Sequence, residues 1–377
     1  MKKQLSTSFK LIALGLLISG SAYATNGMLS TARTARSAGM GGASVGVIGF
    51  ASAVDTNPAN LSYLNSSTLN FTMSVLDPTV EATQGGDTKK AKSQQYPIPT
   101  FSYAYVNPNS NWTYGIGAYA QGGMGASYDD IYGMGPVGTH ESEVGYGTLN
   151  LAASYAITPQ WSVGIAPFMS YSSMEMKTPI NVKMMRDGSP IPNNKHDGSA
   201  KMAWPSELTL GTSYHITNKL IFATDVKWVG WKSAMEKMEI SSDALGPNGT
   251  MDMPLNWDDQ MVYSVGMEYL AADTLRIRLG YNYGKNPVPT STIMPLFPAI
   301  VEHHITAGLG YDVNPNFTIN GAIVYGFNNS STKTDTADAL AGFSGTESSL
   351  QTTTYSLGFT YRFPNDLNGD KRNEYCY

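Results

Sequence analysis

Apolar and polar residues alternate with a period of two along several stretches of this chain. In "TLRIRLGYNYG" (274–284), Leu275, Ile277, Leu279, Tyr281 and Tyr283 fall on one side, with Arg276, Arg278, Gly280 and Asn282 on the other. "FTINGAIVYGF" (317–327) sets Phe317, Ile319, Ile323, Tyr325 and Phe327 against Thr318, Asn320 and Gly326. "FSYAYV" (101–106) and "WTYGIGAYA" (112–120) alternate aromatic and small residues, and "YSLGFTYRF" (355–363) aligns Tyr355, Leu357, Phe359, Tyr361 and Phe363. Period two is the strand period, and the interior glycines would penalise a helix. These runs are predicted strands.

The exception to this pattern is the start. Lys2, Lys3 and Lys10 precede the apolar run "LIALGLLISG" (11–20), and Ala22-Tyr23-Ala24 supplies small residues before Thr25. This is the layout of a secretory signal peptide, and the run falls short of the roughly 20 apolar residues of a membrane-spanning helix. Cleavage after Ala24 leaves Thr25 first, the N-terminus expected from mass spectrometry of the exported protein. A retained leader would contradict the compartment. No second long apolar run follows, yet 42% of the residues are hydrophobic and 14% charged, against about 25% charged in a soluble domain. Much of the surface is therefore expected to face something other than water. Without helical spans, the architecture that satisfies every backbone group in a bilayer is a closed barrel. A soluble β-sandwich alternates too. The leader and the aromatic strand ends, which suit membrane interfaces, favour the barrel.

Charge and cysteine content narrow the classes further. The chain is acidic at −5, and losing the leader's lysines makes it more so. Nucleic acid, which needs a basic surface, is not an expected partner. The single cysteine, Cys376, allows no internal disulfide. In the last fourteen residues, Asp366, Asn368 and Asp370 imitate the opening of a calcium loop, but Tyr377 stands where the bidentate Glu belongs. No metal, cofactor or catalytic constellation is expected, and the protein is not expected to be an enzyme.

The glycine-dense stretch before the first strand has no phosphate-loop spacing. "TNGMLSTARTARSAGMGGASVGVIGFASAVDTNPANLSYL" (25–64) instead resembles the N-terminal hatch of the FadL-type outer-membrane transporters of long-chain fatty acids and other hydrophobic compounds. The elements carrying the resemblance are Gly39-Met40-Gly41-Gly42-Ala43 and Asn57-Pro58-Ala59. It returns in "NWDDQ" (256–260), "GYNYGKNPVP" (280–289) and "VEHHITAGLGY" (301–311), and the last aromatic strand resembles the closing strand read by the barrel assembly machinery. The resemblance implies an all-β, antiparallel transmembrane barrel in the outer membrane of a Gram-negative bacterium, with residues 1–24 as leader, 25–64 as a hatch filling the lumen, 65–363 as barrel and 364–377 as a polar tail. The family type has fourteen strands. The alternation here supports twelve, because the polar, proline-broken stretch 178–200 stands where a further hairpin is expected. Fourteen is the alternative if that stretch pairs irregularly.

Several residues are candidates for contact with ligand or hatch. Arg276 and Arg278 share an inward face, and Glu302 and His304 share that of the next strand, so pairing across the hairpin is expected. Arg33 and Arg36 lie in the hatch itself. Each arginine either joins a structural ion cluster or receives a fatty-acid carboxylate. Asp225, Lys227 and Glu207 are expected to face the hatch. His303 and His304, neighbours on a strand, point to opposite faces and make a poor metal pair. Gly122, Gly123 and Gly125 interrupt an aromatic strand; they mark either a loop entrance or the wall kink through which the family releases ligand sideways. Met294, Leu296, Phe297 and Ile300 are a surplus of apolar groups in a loop and are candidate capture residues. The leading expectation is a passive channel that takes hydrophobic small molecules such as fatty acids from loops to hatch and releases them into the membrane lipid. The alternatives are a surface-binding barrel (adhesin or phage receptor) and a hydrophilic porin, which a hatch would obstruct.

Overall fold

The computed structural model describes residues 26–131, 138–177, 198–201, 203–242, 249–334 and 343–364. Its main sheet is antiparallel. The strands are β1 (Thr68–Gln84), β2 (Asp87–Lys90), β3 (Tyr96–Val106), β4 (Trp112–Tyr128), β5 (His140–Ala156), β6 (Ser162–Ile165), β7 (Phe168–Lys177), β9 (Glu207–Thr217) and β10 (Leu220–Val229). After these come β13 (Gln260–Ala272), β14 (Leu275–Gly284), β15 (His303–Asn314), β16 (Phe317–Thr332) and β17 (Glu347–Arg362). The order is β6-β5-β4-β3-β1-β17-β16-β15-β14-β13-β10-β9, with β2 paired to β1 and β7 to β5. Fourteen strands are thus named in this sheet and twelve lie on one path, where twelve, or alternatively fourteen, were expected. The first and last long strands are neighbours, in register from Thr68↔Arg362 to Thr83↔Glu347. Residues 178–197, most of the stretch read as a missing hairpin, lie outside the described residues. β8 (Gly198–Lys201) follows them and joins a second small sheet with β11 (Lys237–Ser242) and β12 (Thr250–Pro254).

The alternation is turned inside out relative to a soluble sandwich. On β15, Ile305, Leu309 and Tyr311 are exposed while His304 and Thr306 are buried; on β17, Leu357 is 64% exposed while Ser356 and Thr360 are buried. Leaving a large apolar side chain in water forfeits about 1.5–3 kcal/mol. A whole face of them is stable only in lipid. Aromatic rings collect at both strand ends. Trp112 meets Tyr155 at 4.9 Å and Tyr361 meets Phe363 at 4.9 Å at one end, while Tyr283 meets His303 at 4.7 Å at the other. Such paired girdles suit the two interfaces of a bilayer.

Against the polar face lies the N-terminal segment, with α1 (Ala35–Gly39), α2 (Ala53–Thr56) and a 3-10 turn (Pro58–Tyr63). Thr34 caps α1 by accepting from the Ser37 amide, the usual role of a hydroxyl there. Wall hydroxyls and one carboxylate satisfy the backbone of this irregular segment. Thr100 donates to the Arg33 carbonyl (2.8 Å), Ser213 to that of Gly46 (2.7 Å) and Ser154 to that of Ala59 (3.0 Å). Thr306 accepts from the Gly41 amide at 3.0 Å, and Asp225 takes the Ser44 and Val45 amides at 2.8 and 3.0 Å. Gly41 has φ +65, and a Cβ there would strike the β14 backbone at Tyr281. Glycine is required on both counts.

A separate apolar core sits at the end of the barrel strands opposite the Trp112–Tyr155 girdle. Trp231, Trp257, Met235, Met238 and Leu255 pack there with Met28 and Leu29 of the N-terminal segment. Met294, Leu296, Phe297 and Ile300 belong to this core and are at most 3% exposed. The connection that carries them folds inward, because burial of four large apolar groups outweighs the ordering of a proline-stiffened loop.

Candidate functional site

In the N-terminal segment Arg33 donates to Asp55 (2.8 Å), Gln121 (3.0 Å) and Ser30 (3.1 Å). Arg36 grips Glu268 of β13 with two bonds of 2.8 Å. Arg278 of β14 reaches the same carboxylate at 2.6 Å and Asn320 at 3.0 Å. Arg276 pairs with Asp312 at 2.5 Å. All four guanidiniums thus have carboxylate partners within the chain, and Arg33 through Gln121 and Arg36 through Glu268 tie the N-terminal segment to the wall.

Neither Arg276 nor Arg278 meets Glu302 or His304, so the expected pairing is corrected. In the β14–β15 register Arg278 faces Gly308 and Arg276 faces Gly310, while His304 faces Asn282 near the far end of the strand. Glu302 instead accepts from the Asn286 amide at 2.8 Å. His303 points outward to the Tyr281 hydroxyl (2.6 Å), and His304 is fully buried on the opposite face. Among the described residues no group of three or more His, Cys, Asp or Glu is placed to hold a metal ion.

The glycines of β4 mark a break in the wall. β4 does not fade: it pairs with β5 out to Tyr128↔His140, with an irregularity between Ala120 and Gly122. Its other neighbour leaves early, since β3–β4 pairing spans only Thr100↔Tyr119 to Val106↔Thr113. Beyond that, β3 carries Pro97 and Pro99, which bring no N–H to a ladder. Contact resumes where the Lys92 amide bonds Ser127 at 2.7 Å. There the Lys92 ammonium holds the exposed Asp129 carboxyl below its usual range through a hydrogen bond. Residues 26–30 lie against the unpaired edge. The Ser30 amide donates to Gln121 (2.8 Å), the Gly123 amide to Met28 (3.1 Å), and Leu29 bridges Gly122. A Cβ on Gly122 would run into the Met28 carbonyl, and one on Gly125 into that of Ser142. Gly122 therefore permits close approach of the N-terminal segment.

Inside the wall is a cavity of about 910 Å³. Ile165, Phe168 and Ser170 from β6 and β7 border it, as do Glu207 and Thr209 from β9, so the two ends of the sheet path face one another across it. The N-terminal segment contributes Arg33, Ser44 and Asp55, and β4 and β5 contribute Gln121, Tyr146 and Asn150. A run of rings leads to the cavity from the apolar core. Phe297, Trp257, Trp231, Trp204 and Tyr146 follow at centroid spacings of 6.1, 5.2, 6.1 and 3.8 Å. Trp204 and Tyr146 both border the cavity, stacked within 8° of parallel.

Sequence reasoning missed Asp55, Gln121, Tyr146, Trp204 and Glu268. One signal was present in part: counting outward from the tight turn at Asp273-Thr274 places Glu268 opposite Leu279, and the irregularity between Leu270 and Ala272 shifts it by one residue onto Arg278. Asp55, Gln121 and Trp204 reach the site through packing across distant parts of the chain, which no local pattern announces.

The family model described as outer membrane protein transport protein (OMPP1/FadL/TodX) matches residues 15–188 and 179–363. Among solved structures, the Pseudomonas putida toluene transporter TodX superposes with TM-score 0.71 at 17% identity, covering 89% of this chain and 99% of that one. A Pseudomonas aeruginosa FadL homologue gives 0.72 at 14% identity over 90% and 100%. The Ralstonia pickettii toluene transporter TbuX gives 0.66 at 16% over 89% and 99%. No curated protein sequence matches. At these identities the structures establish the FadL-like barrel fold, and the sequence match establishes the family: the chain belongs to the OMPP1/FadL/TodX family of outer membrane transport proteins.

Proposed function

We propose that the protein is a passive channel for hydrophobic compounds, long-chain fatty acids and apolar aromatics among the candidates, with release sideways through the wall. In this reading the sheet closes on itself with twelve wall positions, β6 and β7 together facing β9. Residues 25–64 are the hatch, 65–363 the barrel, and 1–24 and 364–377 a leader and a tail. The observation that carries the reading is the edge of β4 beyond Tyr119, which has no β3 partner and is covered by residues 26–30. A route through the wall suits an apolar solute, which goes directly from the protein interior to lipid and never crosses bulk water.

Capture belongs to the apolar core and its ring run. Met294 and Phe297 are packed there, and their soft thioether and ring surfaces suit ligands of varied shape. The ligand then reaches the hatch, whose Met28 and Leu29 abut both the core and the wall gap. No energy source is implied, since movement follows the concentration gradient.

The test compares cells carrying equal amounts of folded barrel with cells lacking it, offering a radiolabelled fatty acid, an alkylbenzene and a sugar. Uptake of one or both apolar compounds without the sugar is expected. Sugar uptake would instead indicate a hydrophilic pore. No uptake of any, with ligand or partner held at the loops, would indicate a surface-binding barrel.

A further inference from the structure

We propose that the cavity between the two ends of the sheet selects neutral, hydroxyl-bearing aromatic compounds and rejects carboxylates. This rests on the channel reading and narrows its ligand class at that one site. The charged residues bordering the cavity are Arg33, Lys227, Asp55, Glu207 and Asp225, two cations against three carboxylates. Both cations are already engaged. Arg33 binds Asp55 at 2.8 Å and lies 3.9 Å from Glu207, and Lys227 binds Glu207 at 2.8 Å. An entering carboxylate must displace one of these partners or add a fourth negative charge to a confined space. Either is unfavourable where the dielectric is low.

Most of the polar atoms without partners point the same way. Asn26 Oδ1, Asn150 Oδ1, Asp225 Oδ1 and Asn282 Oδ1 are buried and accept no hydrogen bond, against one donor without a partner, Trp204 Nε1, and all five residues border the cavity. Two of the amide orientations are set by their partners: Asn150 Nδ2 donates to Asp55 (3.2 Å), and Asn282 Nδ2 donates to the Gly41 carbonyl (3.2 Å) and Ser264 (2.9 Å). The surplus around the cavity is therefore of acceptors. Together with the extra carboxylate these oxygens give a negative field, which favours a solute whose polar group donates. The stacked pair Trp204 and Tyr146, 3.8 Å apart, supplies a ring surface beside those acceptors. A phenol meets both demands: its ring stacks and its hydroxyl donates. A benzene lacks the donor, and a benzoate brings the wrong charge.

The test titrates folded full-length barrel in non-ionic detergent at pH 7.5 with 4-propylphenol, propylbenzene and 4-propylbenzoate, each against a detergent blank. The phenol is expected to bind about tenfold more tightly than either relative, the worth of one hydrogen bond to a buried polar group. Glu207→Gln releases Lys227 and should raise benzoate affinity about tenfold, while the phenol, losing one carboxylate of the field that favours it, gains nothing and binds more weakly. Asp55→Asn, which releases Arg33, gives an independent second reading. The proposal is overturned if benzoate binds as tightly as phenol to the unaltered protein, or if both variants leave benzoate binding unchanged. Equal affinity for phenol and propylbenzene overturns this selectivity alone, whereas failure of all three to bind overturns the channel reading as well.

Discussion

Replacing Glu268 with leucine is expected to destabilise the folded barrel by about 3–5 kcal/mol, the usual cost of removing one partner from a buried ion cluster. Glu268 is 5% exposed and is the shared acceptor of Arg36, on the N-terminal segment, and Arg278, which is 1% exposed on β14. Without the carboxylate, two guanidiniums confront each other, and Asn320 is the remaining hydrogen-bond acceptor of Arg278. Arg36 has an escape that Arg278 lacks: it lies over the Phe50 ring at 3.9 Å and is partly exposed, so it can swing away with the segment that carries it. The variant should therefore both lower the urea midpoint of barrel refolded into lipid and increase hydrogen exchange in residues 34–42. Adding Arg278→Leu should recover a large part of the loss, because it removes the stranded charge. A midpoint unchanged in Glu268→Leu would mean that the cluster is not what holds segment to wall.

Deleting residues 26–60 is the second large effect. These residues attach mainly through wall side chains, among them Thr100, Ser154, Ser213, Asp225 and Thr306, while the β-ladders run without them. The barrel should still insert, and its single-channel conductance in planar bilayers should rise about tenfold or more, as a lumen emptied of its filling admits water and ions. Wall carboxylates such as Asp225 would then be hydrated instead of bonded to backbone amides, so the added current should be cation-selective and salt-dependent. Conductance at the level of the intact protein would mean the segment is not a plug.

How much of this was legible in the sequence varies with the range of the interaction. The inward and outward faces of β14 followed from alternation alone: Ile277, Leu279 and Tyr281 are exposed and Arg278 and Asn282 buried, as the pattern implies. Register across a tight turn was available to within one residue, as Glu268 and Arg278 illustrate: the irregularity between Leu270 and Ala272 supplies the last step. Register across the long connection from Lys285 to Glu302 was not, since that loop folds into the apolar core and sets the alignment through packing. This is why Glu302 was assigned to the wrong partner. The loop's apolar residues were recognisable as a surplus, but whether they faced solvent depended on Trp231 and Trp257 from elsewhere in the chain. At β4, the glycines signalled an irregularity. What they make room for, the Met28 carbonyl, lies about ninety residues earlier in the chain.

That contact gives the most direct test of sideways release. In Gly122→Val the new side chain must occupy the space of the Met28 carbonyl, so residues 26–30 should leave the edge of β4, which hydrogen exchange at Gly123 and Ser30 will report. β3 cannot readily take their place, because Pro97 and Pro99 supply no N–H to the ladder. The measurement is uptake of an apolar aromatic by cells carrying equal amounts of folded barrel, with ligand affinity of the purified protein and sugar uptake as controls. With the cover displaced, aromatic uptake should rise about threefold or more while affinity and sugar uptake stay at the level of the unaltered protein. If exchange shows residues 26–30 released and aromatic uptake is unchanged, the gap between β3 and β4 is not the exit.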